Sequence, residues 1–175
     1  MLKRLDASWF DAIYAIMEEA FPQSERRIKE EQRSLLSLSE YEVYGWVEND
    51  ALLAFLAAWD LDMIRFGEHL ATRKDQRNRQ IGQKLFRAFE ALNDIPIVFE
   101  VELPETELAK RRIHFYERLG YHYYGDVEYY QGIFHEEASP QPLRLMMKDP
   151  HRNNEEINRI IDLIYQYVYQ QQRLF

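Results

Sequence analysis

The period of apolar positions changes several times along the chain, and each change predicts an element. Trp9, Ile13, Ile16 and Ala20 share one helical face, with Asp6 placed to cap the helix and Pro22 to end it. Ser24 can cap a second helix running to about Leu36, polar apart from Ile28, Leu35 and Leu36. From Tyr41 to Glu48 the pattern alternates, Val43, Gly45 and Val47 against Glu42, Tyr44, Trp46 and Glu48, which predicts a strand with two unlike faces. Asn49-Asp50 supplies a tight turn. Ala51 to Trp59 is apolar throughout, as a central strand covered on both faces should be. A turn at Asp60-Leu61-Asp62 leads to a further strand, Met63 to Thr72.

After Thr72 the pattern goes polar, and then Ile81, Leu85, Phe89 and Leu92 recur at helical spacing. Asn93-Asp94 breaks that helix, and Pro96 to Glu102 is the next strand. The helical crossover between them predicts that this strand runs parallel to the one before. Pro104 and Thr106 open a helix that Gly120 ends, with Ala109, Ile113 and Tyr116 inward. Tyr121 to Tyr130 reads as a tyrosine-rich strand, Gly132 to Pro142 as a loop, and Leu143 to Lys148 as a last strand. Beyond a break at 149–154, Glu155 to about Gln171 predicts a helix with Ile157, Ile160, Ile161, Ile164, Tyr167 and Val168 on one stripe. The expected organisation is a domain over 1–150 and an amphipathic helix over 151–175. That helix would dock on its own domain or on a second copy in a homodimer.

Composition narrows the class. A chain of 175 residues suits one domain and can bury a substantial core. Hydrophobic residues make up 46% and charged ones 30%, a globular balance. The absence of cysteine excludes disulfides, thiolate metal sites and a cysteine nucleophile, and suits a cytoplasmic protein. No two of the 5 histidines have the spacing of a helical metal site, so no metal is expected. A net charge of −8 disfavours nucleic acid and anionic membranes as partners. It suits a cationic substrate such as an amine, although an acidic surface also simply keeps a protein soluble. Met1-Leu2-Lys3-Arg4-Leu5-Asp6 has no signal-peptide apolar region, and the run from Ala51 to Trp59 is too short to span a bilayer.

The candidate chemistry lies between the strand ending at Thr72 and the helix after it. Arg73, Lys74, Gln76, Arg77, Asn78, Arg79 and Gln80 crowd this stretch with donors. A helix entered from such a loop offers free backbone N–H groups and its positive dipole end to a phosphate or pyrophosphate. Gly82, in the first turn, lets a ligand approach the backbone. Taken alone, the stretch also fits a solvated basic loop. No lysine-serine/threonine pair of a Walker loop follows it, against a nucleotide-binding module.

Two motifs carry a resemblance. Arg77-Asn78-Arg79-Gln80-Ile81-Gly82 resembles the pyrophosphate loop Arg/Gln-x-x-Gly-x-Gly/Ala of the GNAT superfamily of acyl-CoA-dependent N-acyltransferases, with Gln80 where the middle glycine belongs. Ile113 to Tyr121 resembles the family's late helix and turn, with Tyr116 and Gly120 on its pattern. With their flanking strands the two blocks cover about residues 40–148. The resemblance implies an α/β GNAT fold: a single mixed, mostly antiparallel sheet with a splayed parallel central pair, flanked by helices. It implies acetyl transfer from acetyl-CoA to a primary amine of a small molecule or peptide by direct attack. The alternative is an inactive acyl-CoA-binding sensor or regulatory domain, for which Gln80, and Ala109 in place of the family's frequent asparagine, would be the sign.

The resemblance also implies roles. Leu70, Ala71, Thr72, Arg77, Asn78, Arg79, Gln80, Ile81, Gly82 and Gln83 would hold acetyl-CoA. Tyr116 would protonate the departing thiolate, although from its helical face alone it reads as a core ring. Glu68, late in the strand before the loop, ranks first as general base. Glu102 ranks second and Glu100 third, because they are carboxylates on one face of an otherwise apolar strand. Glu68 reads equally as an exposed strand-end carboxylate. His69 beside it reads as a hydrogen-bonded structural residue. Tyr121, Tyr123, Tyr124, Tyr129 and Tyr130, with Trp59, read as half-buried sheet residues rather than an acceptor pocket.

Overall fold

The computed structural model describes residues 1–135 and 139–173. Residues 136–138, inside the loop expected before the last strand, lie outside the described part. The strands are β1 (Leu2–Leu5), β2 (Tyr41–Glu48), β3 (Ala51–Asp60), β4 (Arg65–Thr72), β5 (Ile97–Glu102), β6 (His122–Tyr123), β7 (Tyr129–Gln131) and β8 (Gln141–Met147). The α-helices are α1 (Phe10–Ala20), α2 (Lys29–Ser34), α3 (Ile81–Glu90), α4 (Glu107–Glu117) and α5 (Asn154–Leu163). The strand order is β1-β2-β3-β4-β5-β8-β6, with β7 also on β8. This is a mixed sheet in an α/β fold, with its parallel step at β4–β5. The Arg65 N–H donates to the Pro96 carbonyl at 2.8 Å where that step begins.

The chain divides into two compact units, Met1–Asp60 with Gly67–Ile95, and Leu61–Phe66 with Pro96–Phe175. In the first unit β2 and β3 form a hairpin whose Asn49 and Asp50 both take left-handed φ, 48° and 58°. That turn matches the right-handed twist of the flanking strands. Leu52 to Trp59 of β3 are buried without a break, as the apolar run required. On α3, Phe89 packs its ring 5.4 Å from that of Tyr44 on β2.

Three local expectations change in this unit. Four residues with exposed Lys3 and Arg4 gave no strand signal, yet Leu2–Leu5 pairs antiparallel with β2. Ser24 caps no long helix: Gln23–Glu25 makes one 3-10 turn and α2 starts only at Lys29, behind Ile28. Asp6 does cap, but its carboxylate takes the Ser8 N–H of a 3-10 turn, Ala7–Trp9, that runs on into α1.

In the second unit β8 pairs β5 along one edge, and β6 and β7 share its other edge in tandem. The expected single strand from Tyr121 to Tyr130 is therefore two short ones. A turn, closed by the Val127 N–H on the Tyr124 carbonyl, separates them. Thr106 caps α4 through the Ala109 N–H at 3.1 Å. Gly120 ends it at φ 91°, with the Tyr121 N–H reaching back to the Tyr116 carbonyl.

Asn153 and Glu156 form a capping box on α5. After Leu163 the helix widens into a π-turn, Ile164–Tyr169. The wider turn shifts the inward face. Tyr167 of the expected stripe is exposed, while Tyr165 and Tyr169 are buried. The Tyr165 hydroxyl donates to the Tyr130 carbonyl at 2.7 Å and that of Tyr169 to Glu100 at 2.6 Å. Gly132 lies so close to the Tyr169 ring that a Cβ there would overlap it.

Candidate functional site

The donor loop is built from local backbone geometry. A 3-10 turn, Lys74–Gln76, follows β4, and Asn78 and Gln80 then take left-handed φ of 66° and 58°. Gln80 is the residue that leads into α3, and no side chain caps that helix. The N–H groups of Ile81, Gly82 and Gln83 belong to its first turn, where no carbonyl of the helix can receive them. The Lys84 N–H is the first to close a helical bond, to the Gln80 carbonyl at 3.0 Å. A Cβ on Gly82 would sit 3.1 Å from the Thr72 hydroxyl. The last residues of β4 therefore press on the start of α3, and Ala71 there is buried.

The loop's charges are mostly arranged against each other. Arg73 donates twice to Asp75, at 2.6 and 2.9 Å. The Arg73 bonds, and then Gln76, hold the Asp75 carboxyl at about 2. Arg79 donates to Gln76 and, at 3.5 Å, to Glu48. Arg77 donates to the Thr72 carbonyl, a neutral acceptor, at 3.4 Å.

Glu68 sits at the centre of a buried cluster of the same unit. Arg27 Nη1 meets its Oε1 at 2.7 Å, and Trp59 Nε1 donates to its Oε2 at 3.1 Å. Tyr41 lies edge-on to Trp59 and accepts from Gln32 at 2.8 Å. Burial alone would raise the Glu68 carboxyl. The charge of Arg27, then that of His69, and the bonds from Arg27 and Trp59 outweigh it and hold the group below the usual carboxylate range. The reading of Glu68 as an exposed strand end is thus corrected: its side chain is 3% exposed. His69 is buried and hydrogen-bonded, Nε2 to the Glu25 carbonyl at 2.9 Å. Although it alternates with Glu68 along β4, its Nδ1 comes within 3.7 Å of Glu68 Oε2.

The second unit holds the other candidates. The Tyr116 ring packs 4.0 Å from that of Phe99 and 5.0 Å from that of Phe115. Burial pushes its phenol up to about 12, against the opposing charge of Arg112. Arg112 also donates to Glu102 at 3.0 Å, in a pair about half exposed to water. One guanidinium therefore stands beside both Glu102 and Tyr116. Glu100 accepts the Tyr129 and Tyr169 hydroxyls. Tyr121, Tyr124 and Tyr129 are buried rather than half-buried.

Sequence reasoning missed Arg27 and Arg112. Arg27 lies in a polar stretch with no periodic marker, 41 residues from its partner. Arg112 precedes Tyr116 by one helical turn, so that spacing was the available signal. Among the described residues, no group of three or more histidines and carboxylates is placed to hold a metal ion, and no helix is long and apolar enough to cross a membrane.

Residues 39–123 match the family model of the acetyltransferase (GNAT) domain. No curated protein matches the sequence. Among solved structures, a GNAT-family protein from Bacteroides thetaiotaomicron is 27% identical, with a TM-score of 0.89 over 97% of this chain and 98% of its own. The ribosomal-protein-S18-alanine N-acetyltransferase of Escherichia coli is 16% identical, with a TM-score of 0.63 over 88% of this chain and 97% of its own. NAA60 of Arabidopsis thaliana, solved in complex with acetyl-CoA, is 12% identical, with a TM-score of 0.63 over 84% and 96%.

Proposed function

We propose that this chain, similar to GNAT acetyltransferases, is itself a member of that superfamily and moves an acetyl group from acetyl-CoA to a primary amine of a small molecule or peptide by direct attack. The observation that carries this reading is the start of α3. Its first-turn N–H groups are uncapped, follow a left-handed Gln80, and stand behind the arginine loop. Such a turn binds a diphosphate through the main chain, with Arg77 and Arg79 adding charge. Gly82 keeps the approach open, and Leu70, Ala71 and Thr72 line the same cofactor site. The acetyl-CoA held by the Arabidopsis relative supports the choice of donor.

Direct transfer makes three demands on side chains. The acceptor ammonium must lose a proton, because only the free amine attacks, and an alkyl ammonium near pKa ~10 gives it up reluctantly. Glu68, ionised and fixed by Arg27 and Trp59, takes that proton, with Glu102 second in rank. Backbone N–H groups of β4 stabilise the oxyanion. Tyr116 supplies the proton to the departing thiolate. Its raised pKa keeps the phenol loaded across the physiological range. The reaction is read as cytoplasmic, a reading with which the cysteine-free composition is compatible.

Release of CoA thiol from acetyl-CoA against a panel of primary amines tests the reading. Amine-dependent release is expected. Binding of CoA with no release for any amine would leave a sensor and contradict the transfer.

A further inference from the structure

His69 has a geometry that the transfer reaction described above leaves unused. Its Nε2 lies 2.9 Å from the Glu25 carbonyl. A carbonyl only accepts, so Nε2 carries a hydrogen in every protonation state of the ring. Nδ1 is then the nitrogen that gains or loses a proton. It is buried, makes no hydrogen bond among the described residues, and lies 3.7 Å from Glu68 Oε2. The Phe21 ring packs on the imidazole at 4.7 Å and helps fix its plane. The charged groups around the ring are Glu68 on β4, and Arg27 and Arg26 from the segment before α2. Two buried acceptors that face each other gain from a single proton held between them.

We propose that Glu68 and His69 form a proton relay, in which Glu68 takes the proton of the acceptor ammonium and His69 Nδ1 stores it. The inference rests on the acyl-transfer reading. The N–H bond of the ammonium breaks and its electron pair stays on nitrogen, which attacks the thioester carbonyl carbon. The proton bonds to Glu68 Oε2 and then to Nδ1, as the two side chains close their gap. The imidazolium so formed stands beside the carboxylate, and its proton returns to solvent after the product leaves. The direction follows from relative basicity. Arg27 and Trp59 stabilise the Glu68 anion, so it passes a proton on rather than keeping it, and the negative charge of Glu68 raises the basicity of Nδ1 against the burial that lowers it. His69 acts through Glu68 and is a positioning residue, not one that touches substrate.

His69→Gln is the test, because the Gln amide can still donate to the Glu25 carbonyl while the titrating nitrogen is gone. The expected result is a fall in kcat of roughly 10- to 100-fold, with KM for acetyl-CoA unchanged. The limb of kcat that rises with pH through the histidine range should also disappear. Nitrogen NMR of the ring in the substrate-free protein should show the Nε2–H tautomer, with a midpoint that drops in Glu68→Gln. A His69→Gln enzyme with wild-type kcat and pH profile, while wild type acetylates amines, overturns the relay alone. If wild type turns over no amine, the transfer reading fails instead. A His69 midpoint unmoved by Glu68→Gln then overturns the pair by itself.

Discussion

Arg27 and Glu68 are joined at 2.7 Å with side chains only 9% and 3% exposed, a buried ion pair between the segment before α2 and β4. Removing one member strands the other charge away from water. Arg27→Met should destabilise the fold by about 3–5 kcal/mol in urea unfolding. The double variant Arg27→Met, Glu68→Leu should recover most of that loss, because neither charge is then buried alone. Amine acetylation should stay low in both. Simple addition of the two single effects would contradict the pairing.

Gln80 occupies left-handed backbone, where a side chain costs roughly 1–2 kcal/mol. Glycine removes that cost and adds unfolded-state entropy of roughly 0.5–1 kcal/mol. Gln80→Gly is therefore expected to raise stability by up to about 1 kcal/mol, read by thermal unfolding, with CoA affinity undiminished. Gln80→Val should lose more than about 1 kcal/mol, since a branched Cβ fits that region worst.

Tyr116→Phe keeps the ring on Phe99 and removes only the hydroxyl. Steady-state kinetics should show kcat reduced about 100-fold with CoA affinity nearly unchanged. An unaltered kcat would remove Tyr116 from the proton transfer.

The histidine and carboxylate of the buried cluster both set a pH dependence of stability. Burial is the main cause that lowers His69 below 6.5, and Arg27 the main one that lowers Glu68 below 4.5. For each, the unfolded chain binds more protons between the two pKa values, so stability rises with pH there. Stability should hold above about 6.5 and fall as pH drops, first through His69 and then, below about 4.5, through Glu68. Melting temperatures between pH 7 and 4 check this. His69→Gln should flatten the upper part of the decline and leave the lower part.

Periodicity made most strands and helices legible, because β3 is apolar along its whole length and α3 along one face. It could not show β1, whose pairing depends on the edge β2 offers rather than on its own four residues. Nor could it show the π-turn that brings Tyr169 inward in place of Tyr167. The loop from Arg77 to Gly82 and the helix start after it were legible because a polar run that gives way to helical spacing is a local signal, whereas the left-handed φ of Asn78 and Gln80 was not. Arg27 was not, because an ion pair across 41 residues leaves no periodic trace. The same distance hid the burial of Glu68, which looked like an ordinary strand end until its partners were placed.

Isothermal titration of acetyl-CoA into the wild-type protein and into Gly82→Val tests the diphosphate site most directly. A Cβ at this position has the Thr72 hydroxyl, at 3.1 Å, as its near neighbour outside the helix, so a folded variant is expected while the approach to the α3 amides closes. Saturable binding by wild type, weakened at least tenfold in a folded Gly82→Val, is the expected result. No heat of binding at millimolar acetyl-CoA, or equal affinity for both proteins, would contradict it.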